Sequence, residues 1–426
     1  MAYFQQRRGY SLLPLLPALF VDVGEKTPGA RYDFQLTLAE RLDEAYYRQL
    51  SAWCDQHGIA LTGHPAGATE IYPLRYFQTP GQDIVWRGVV PEGHRALEGT
   101  NSAIGKCSSS VARHDGRRFN SNEVYGAYGW QLTMEEMKWL ADWLMVRGVN
   151  RLYPHAFYYS IRDYRVNERP PDLGPNNLWW PHYRLFADYT ARLCGLLTDS
   201  RQVCDVAILA GNHDLPWRAA KWLYQHQIDF NYVEDWRLIL TADVADGSLR
   251  VGPMAYSLLI VDQDGPPAGP IGKRLEELLS AGLTVRHCRG EPDAGLVAGL
   301  ARDVLVEPEV PDLRFVHLVK NGIHFYTGTL RYRTTFALSR KTGSRYELDL
   351  GQVGDFVVAR LNGQELPARF WRPFSWDVTP AARDGENELV VEVTNSLVNR
   401  YDAKIRRPSG LFGPVQLRET GSQSAK

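Results

Sequence analysis

The spacing of apolar residues changes twice along this chain, and each change marks a different kind of structure. Up to about residue 215, helical spacing alternates with short apolar runs. In "FQLTLAERLDEAYYRQLSAWCDQHG", Leu38, Leu42, Ala45, Tyr46, Leu50 and Trp53 form one helical stripe that stops at Gly58. "IALTGH" follows as a short strand. "TMEEMKWLADWLMVRG" opens with a capping box, Thr133 with Glu136, and carries Met137, Leu140, Ala141, Leu144 and Met145 on one face. "VNRLYPHAFYY" reads as the next strand, and a further helix begins near Pro181 with Tyr183, Leu185, Phe186, Tyr189, Leu193 and Leu196. "VCDVAILAG" then reads as a buried strand. Helix–strand units of this length predict a parallel sheet, doubly wound or in a β/α barrel.

From about 216 to 315 the α/β pattern continues in what reads as a smaller unit. "AYSLLIVD" is an apolar strand, and "IGKRLEELLSAGLTVRHC" is a helix, a glycine stop and another strand. No G-x-G-x-x-G opens a helix there, so a dinucleotide site is not expected. From about 316 the rhythm becomes that of strands. Asn321-Gly322 in "RFVHLVKNGIHFYTG" signals a hairpin, and "TLRYRTTFAL", "RYELDLG", "FVVARLNG", "FSWDVT" and "ELVVEVTNSL" follow between turn residues. That spacing predicts a β-sandwich. The expected architecture is α/β plus all-β: a partial TIM-type barrel over 1–215, a small Rossmann-like α/β domain over 216–315, and a C-terminal sandwich over 316–426.

Length agrees with this division, since 426 residues exceed one ordinary core. A formal net charge of −1 gives no electrostatic footprint for nucleic acid or an anionic membrane. Five cysteines without a C-x-x-C spacing argue against a disulfide framework and a cysteine-rich zinc site. The opening "MAYFQQRRGYSLLPLLPALF" imitates a secretory signal, but Pro14 and Pro17 break its apolar run. No stretch is long enough to span a bilayer, so the chain reads as soluble, cytoplasmic as written.

Gly211-Asn212-His213-Asp214 resembles one metal-ligand loop of the calcineurin-like phosphoesterases, but the one Asp-x-His, Asp55-Gln56-His57, sits at the end of a helix and the family's other two ligand motifs are absent. So are the G-x-S-x-G elbow, the P-loop and H-E-x-x-H. Polar and aromatic strand ends remain. "ALTGHPAGATEIY" offers His64 and Glu70, "FNSNEVYGAYGW" offers Asn122, Glu123, Tyr125, Tyr128 and Trp130, and "LYPHAFYYS" offers His155, Tyr158 and Tyr159. "GPNNLWWPHY" adds Asn176, Asn177, Trp179 and Trp180. In a β/α barrel the C-terminal ends of the strands build the active site. Rings that stack on sugar faces, amides and imidazoles that bond hydroxyls, and carboxylates for proton transfer make a glycoside the expected substrate.

"RRGYSLLPLLPALF", "WCDQHGIALTGH", "NEVYGAYGWQLTMEEMKWLADWLMVRGVNRLYPHAFYYS" and "NNLWWPHYRLFADYTARLCGLL" together resemble bacterial glycosyl hydrolases related to the α-L-rhamnosidases of glycoside hydrolase family 106. "LNGQELPARFWRPFSWDVTPAARDGENELVVEVTNSL" resembles the galactose-binding-like sandwich attached to many glycosidases. The resemblance implies a barrel with a glycosidase site, a functional glutamate at Glu123, inversion at the anomeric carbon, and calcium, for which no ligand set is legible. Relatives carry early barrel strands before the point where this chain begins, leaving about five candidate strands of eight. They also carry paired glutamates after the "TGH" segment, where this chain offers Glu70 alone.

The expected activity is hydrolysis of a terminal α-L-rhamnoside-like sugar from an oligo- or polysaccharide. Glu123 and Glu70 are the expected catalytic pair, and His64, Asn122, Tyr128, Trp130, His155, Tyr158, Asn177 and Trp179 the expected sugar contacts. The alternative is a non-catalytic carbohydrate-binding or structural remnant. An incomplete barrel leaves open sheet edges, which calls for a partner chain or self-association.

Overall fold

The computed structural model describes residues 1–420 apart from 212–213, 266, 268, 299–326, 403 and 406. The hairpin expected at Asn321-Gly322 and the Asn212-His213 loop lie outside the described residues.

The chain begins with α1 (Ala2–Arg8) and α2 (Thr27–Leu42), which continues through one π turn into α3 (Arg48–Gln56). The predicted stripe forms here but is not covered. Leu38, Leu42, Tyr46, Leu50 and Trp53 face solvent, with Leu42 44% and Trp53 52% exposed. The buried side carries Thr37, Asp43, Tyr47 and Cys54 instead, and Asp43 pairs there with Arg75 at 2.5 Å. Periodicity predicts a face; it does not say what will lie against it.

Four strands then form a parallel sheet in chain order: β1 (Thr62–Gly63), β2 (Thr79–Ile84), β3 (Ser121–Val124) and β4 (Arg151–Pro154). The helices α4 (Ile104–His114), α5 (Met134–Met145) and α6 (Tyr183–Leu197) follow β2, β3 and β4. Sequential parallel strands with an α-helix after each of the last three is barrel-type winding, and four strands are half of the eight a closed barrel needs. The predicted capping box at Thr133 and Glu136 starts α5, each side chain bonding the other's backbone N–H at 3.1 Å. Its stripe, Met137, Leu140, Ala141, Leu144 and Met145, is buried against Ile84, Val124 and Phe186. Each large side chain there contributes about 1.5–3 kcal/mol by leaving water.

The strand expected to close this first region belongs elsewhere. β5 (Val206–Ala210) pairs with β6 (Phe230–Glu234) and β10 (Leu258–Asp262), and β10 pairs with β11 (Thr284–Cys288). Between β6 and β10 lie β7 (Asp243–Ala245), β8 (Ser248–Val251) and β9 (Met254–Tyr256), a small antiparallel sheet. The helices α7 (Arg218–Gln225), α8 (Asp235–Leu240) and α9 (Gly269–Ser280) complete the unit. The order β11-β10-β5-β6 is doubly wound. A boundary at 215 therefore cuts through this sheet, and the first sheet holds four strands where about five were expected. "VAILA" is buried on both faces, so its apolar run identifies a covered strand without naming its sheet. Cys107 and Val111 of α4 pack on Val206, Ile208, Phe230 and Tyr232, joining the two sheets through one core.

The last region consists of β12 (Thr329–Leu338), β13 (Arg345–Asp349), β14 (Gln352–Val353), β15 (Phe356–Leu361), β16 (Gln364–Glu365), β17 (Ser375–Asp377), β18 (Gly385–Thr394), β19 (Leu411–Gly413) and β20 (Gln416–Thr420), with the single turn α10 (Val398–Tyr401). The antiparallel sheets β12-β18-β15-β16 and β17-β13-β20 face one another across Tyr346, Leu348, Val357, Ala359, Trp376, Leu389 and Val391. This region docks beside α5 and α6 through Phe356 and Phe370, with Arg372 bonded to Glu135 at 2.8 Å. Asp355 is buried in that seam, where loss of water pushes its carboxyl up to about 6 against the pull of Arg407.

Candidate active site

Residues paired across parallel strands point to the same face, so register decides which side chains meet. Ile84 and Val124 pack among the helices, and Gln82 Nε2 donates to Cys107 Sγ of α4. The alternate residues, Asp83 on β2 and Glu123 on β3, share the opposite face and are register partners; Glu123 in turn pairs with Tyr153 of β4. Three strands thus carry a carboxyl, a carboxyl and a phenol side by side near their C-terminal ends. Gly81 keeps the strands close beneath this row, since a Cβ there would stand 2.4 Å from Ser121 Oγ.

His64, just past β1, closes the group. Its Nδ1 lies 2.9 Å from the Pro65 carbonyl, which can only accept, so Nδ1 carries a proton and Nε2 faces the carboxyls. Nε2 stands 4.0 Å from Asp83 Oδ2 and 3.6 Å from Glu123 Oε2. These oxygens are therefore at most about 8 Å apart, below the roughly 9.5 Å upper limit for paired glycosidase carboxyls. The Asp83 side chain is 19% exposed and that of Glu123 38%. Asp83 Oδ1 is buried without a hydrogen-bond partner among the described residues. Burial, and next the charge of Glu123, push the Asp83 carboxyl up to about 6, while His64, His155 and Arg169 oppose the shift. A cleft of about 130 Å³ opens beside Asp83, lined by His64, Ala68, Val85, Gly88 and Asn101.

The loops at these strand ends are tied together. Trp86 N–H donates to the Gly126 carbonyl at 3.0 Å, His155 N–H to Val124 at 2.9 Å, and Gly129 N–H to Pro170 at 2.8 Å. Seven non-glycine residues on them have left-handed backbones: Trp86, Arg87, Glu92, Tyr125, Ala127, Asp163 and Arg169. Such conformations cost about 1–3 kcal/mol each and concentrate at functional sites.

The structure brings together three of the predicted residues, Glu123, His64 and His155. Glu70 does not join them: its charge acts on Tyr47 and Cys107, and Asp83 stands across from Glu123 in its place. Asn122 is fully buried on the helix side of β3, because strand alternation turns it away from Glu123. Tyr128 is buried and donates to Val89 at 2.6 Å, and Trp130 is buried against Tyr401 and donates to Val166 at 2.9 Å. Asn177 and Trp179 are buried near the seam with the C-terminal sheets, bonded to Asp172 and Leu173. The Tyr158 hydroxyl lies 2.8 Å from the Glu168 and Arg169 carbonyls, so it braces the loop. The polar tips of Tyr128, Trp130, Tyr158 and Trp179 and the Asn177 amide nitrogen bond local backbone, which sequence does not reveal. The buried Asn122 amide, by contrast, has no hydrogen-bond partner among the described residues.

Asp83, Trp86, Arg169 and Tyr153 were missed. "TPGQDIVW" carries proline and glycine where a strand is expected to alternate, so β2 went unread and Asp83 with it. The available signal is an acid followed closely by an aromatic at a strand end, Asp83 with Trp86 as Glu123 with Tyr125 at the end of β3. For calcium, the described residues bring no three His, Cys, Asp or Glu side chains together as ligands, so no chemical step is drawn through it.

Two carboxyls thus stand at neighbouring strand ends beside one imidazole, on a half-barrel of parallel strands, an arrangement of groups able to give and take protons. Residues 1–303 match the model of glycoside hydrolase family 106, described as alpha-L-rhamnosidase, and the chain belongs to that family. Over 219 residues it is 26% identical to a putative beta-glucuronidase of Formosa agariphila, a match covering 49% of this chain and 18% of that protein. A rhamnosidase from Novosphingobium sp. PP1Y shares the fold, with a TM-score of 0.66 and 18% identity over 98% of this chain and 59% of that one. This chain therefore spans a minor part of the first relative's length and about three-fifths of the second's.

Proposed function

We propose that this chain hydrolyses a terminal α-L-rhamnoside-like sugar, with Asp83 and Glu123 as its carboxyl pair on part of a β/α barrel. The observation that carries this is their pairing in register, on the face away from the helices, around His64. Asp83 keeps its proton up to about pH 6, which suits it to protonate the glycosidic oxygen as the bond to the anomeric carbon breaks. In the inverting route that the family resemblance implies, Glu123 takes a proton from the water attacking the opposite side of that carbon. His155 and Tyr153 stand at the same strand ends to contact sugar hydroxyls and ring faces.

The test is hydrolysis of aryl glycosides, headed by the α-L-rhamnoside and including the β-glucuronide, by the purified chain and by Glu123→Gln. Rhamnoside cleavage that falls in the variant while its fold persists supports the reading. Binding of rhamnose by both proteins without cleavage by either overturns it in favour of a carbohydrate-binding role. The formation of four parallel strands among the described residues, half a barrel's complement, is what favours that second reading.

A further inference from the structure

Arg169 lies on the loop after β4, exposed, its backbone left-handed at φ 54°. Its position is fixed: its carbonyl lies 2.8 Å from the Tyr158 hydroxyl, and the next carbonyl, of Pro170, accepts from Gly129 N–H. Its guanidinium lies 6.0 Å from the centroid of the Trp86 ring, and among the described residues no carboxylate is paired with it. In the doubly wound sheet the acids at strand ends are instead matched by arginines, Glu234 by Arg237 of α8 and Asp262 by Arg218 of α7. Trp86 is 66% exposed, held at φ 58° by its bond to Gly126, three residues beyond Asp83 on the same strand end. A large ring kept in water in a costly backbone conformation is a surface awaiting a flat, apolar partner.

We propose that Trp86 and Arg169 form a subsite for an anionic sugar unit next to the cleaved bond, the ring stacking on its face and the guanidinium binding its carboxylate or sulfate. This rests on the glycosidase reading above. The side follows from Asp83: the group that protonates the leaving oxygen faces the leaving sugar, and Trp86 and Arg169 gather beside Asp83. The substrate class is thus a terminal rhamnoside on an acidic saccharide. Guanidinium matches either anion with two parallel hydrogen bonds, so both sources are tested.

The experiment measures kcat/KM on three disaccharides in which terminal α-L-rhamnose is linked to glucuronate, to glucose and to sulfated glucose. It compares the unaltered chain, Arg169→Gln and Arg169→Lys. An anionic substrate is expected to be preferred over the neutral one by about ten- to a hundredfold, the worth of a charge-assisted contact. That ratio should fall towards one in Arg169→Gln, recover in part in Arg169→Lys, and shrink as salt is raised. Carboxylate above sulfate, or the reverse, identifies the anion. A ratio near one in the unaltered chain, or a ratio that Arg169→Gln leaves intact, overturns the proposal. If no rhamnoside is cleaved, the glycosidase reading fails by itself. Calorimetric binding of the same three disaccharides then gives the same ratio, and decides the role of Arg169 on its own.

Discussion

Both parallel sheets place acids at the C-terminal ends of their strands, and they treat them in opposite ways. In the doubly wound sheet Asp262 is almost wholly buried, but Arg218 bonds one oxygen at 3.0 Å and the Ala219 N–H the other at 2.9 Å. Glu234, also buried, is held by Arg237 at 2.9 Å. Burial still pushes its carboxyl up, and His114 Nδ1 stands 3.8 Å away, but among the described residues no second carboxylate faces it as a register partner. In the first sheet Asp83 and Glu123 face each other instead, with one imidazole between them and one Asp83 oxygen without a bond. The difference separates structure from chemistry. An acid matched by an arginine fixes a fold, whereas burial without such a match, and next to it a neighbouring like charge, opposes folding and shifts a carboxyl into the range where it can give up a proton at working pH.

The contrast breaks most readily at Arg218. Removing it as Arg218→Ala leaves the Asp262 carboxylate buried without its ion, at a cost of about 3 kcal/mol in urea denaturation. Its surface contact with Asp264 adds little to that. Asp83→Asn should do the reverse. The folded pKa of Asp83, about 6, lies above the roughly 3.9 of an unfolded aspartate. Its protonated form therefore supports the fold fully below about pH 4, and that support is lost as pH rises through 6. The asparagine variant is then more stable than the unaltered chain at pH 8, by no more than about 3 kcal/mol, and the gap narrows as pH falls towards 4. Equal stability of the two proteins at both pH values would mean that Asp83 is not strained. The smallest effect is expected on the exposed stripe, where Leu42→Lys should change stability by less than about 0.5 kcal/mol. A larger loss there would show that this face is covered in solution.

Much of the fold was legible because local rules and packing agree. The capping box and stripe of α5 sit as the sequence predicts, and so do the strands of the C-terminal sheets that fall within the described residues. Legibility ended where partners are chosen by the whole molecule. The stripe of α2 and α3 is present in sequence but faces water, and β5 was visible as a strand while its sheet was not. The site follows the same division. Glu123 stood out because amides, glycines and rings surround it, and His64 and His155 because each follows an apolar strand. Asp83 was hidden by Pro80 and Gly81, which break the strand pattern, though parallel pairing on both sides holds β2 in place regardless. Tyr128, Trp130, Asn177 and Trp179 looked like sugar contacts because burial is invisible in a list of residue types.

The pairing of Asp83 with Glu123 is the central claim, and it is tested most directly by comparing kcat/KM for an aryl α-L-rhamnoside in Asp83→Asn and Glu70→Gln, with the fold of each checked by circular dichroism. Loss of a positioned general acid costs about a hundred- to ten-thousandfold, so Asp83→Asn should fall by at least the lower figure while Glu70→Gln stays within tenfold of the unaltered chain. A collapse in Glu70→Gln with Asp83→Asn still active would contradict the account and return the second carboxylate to the loop after β1.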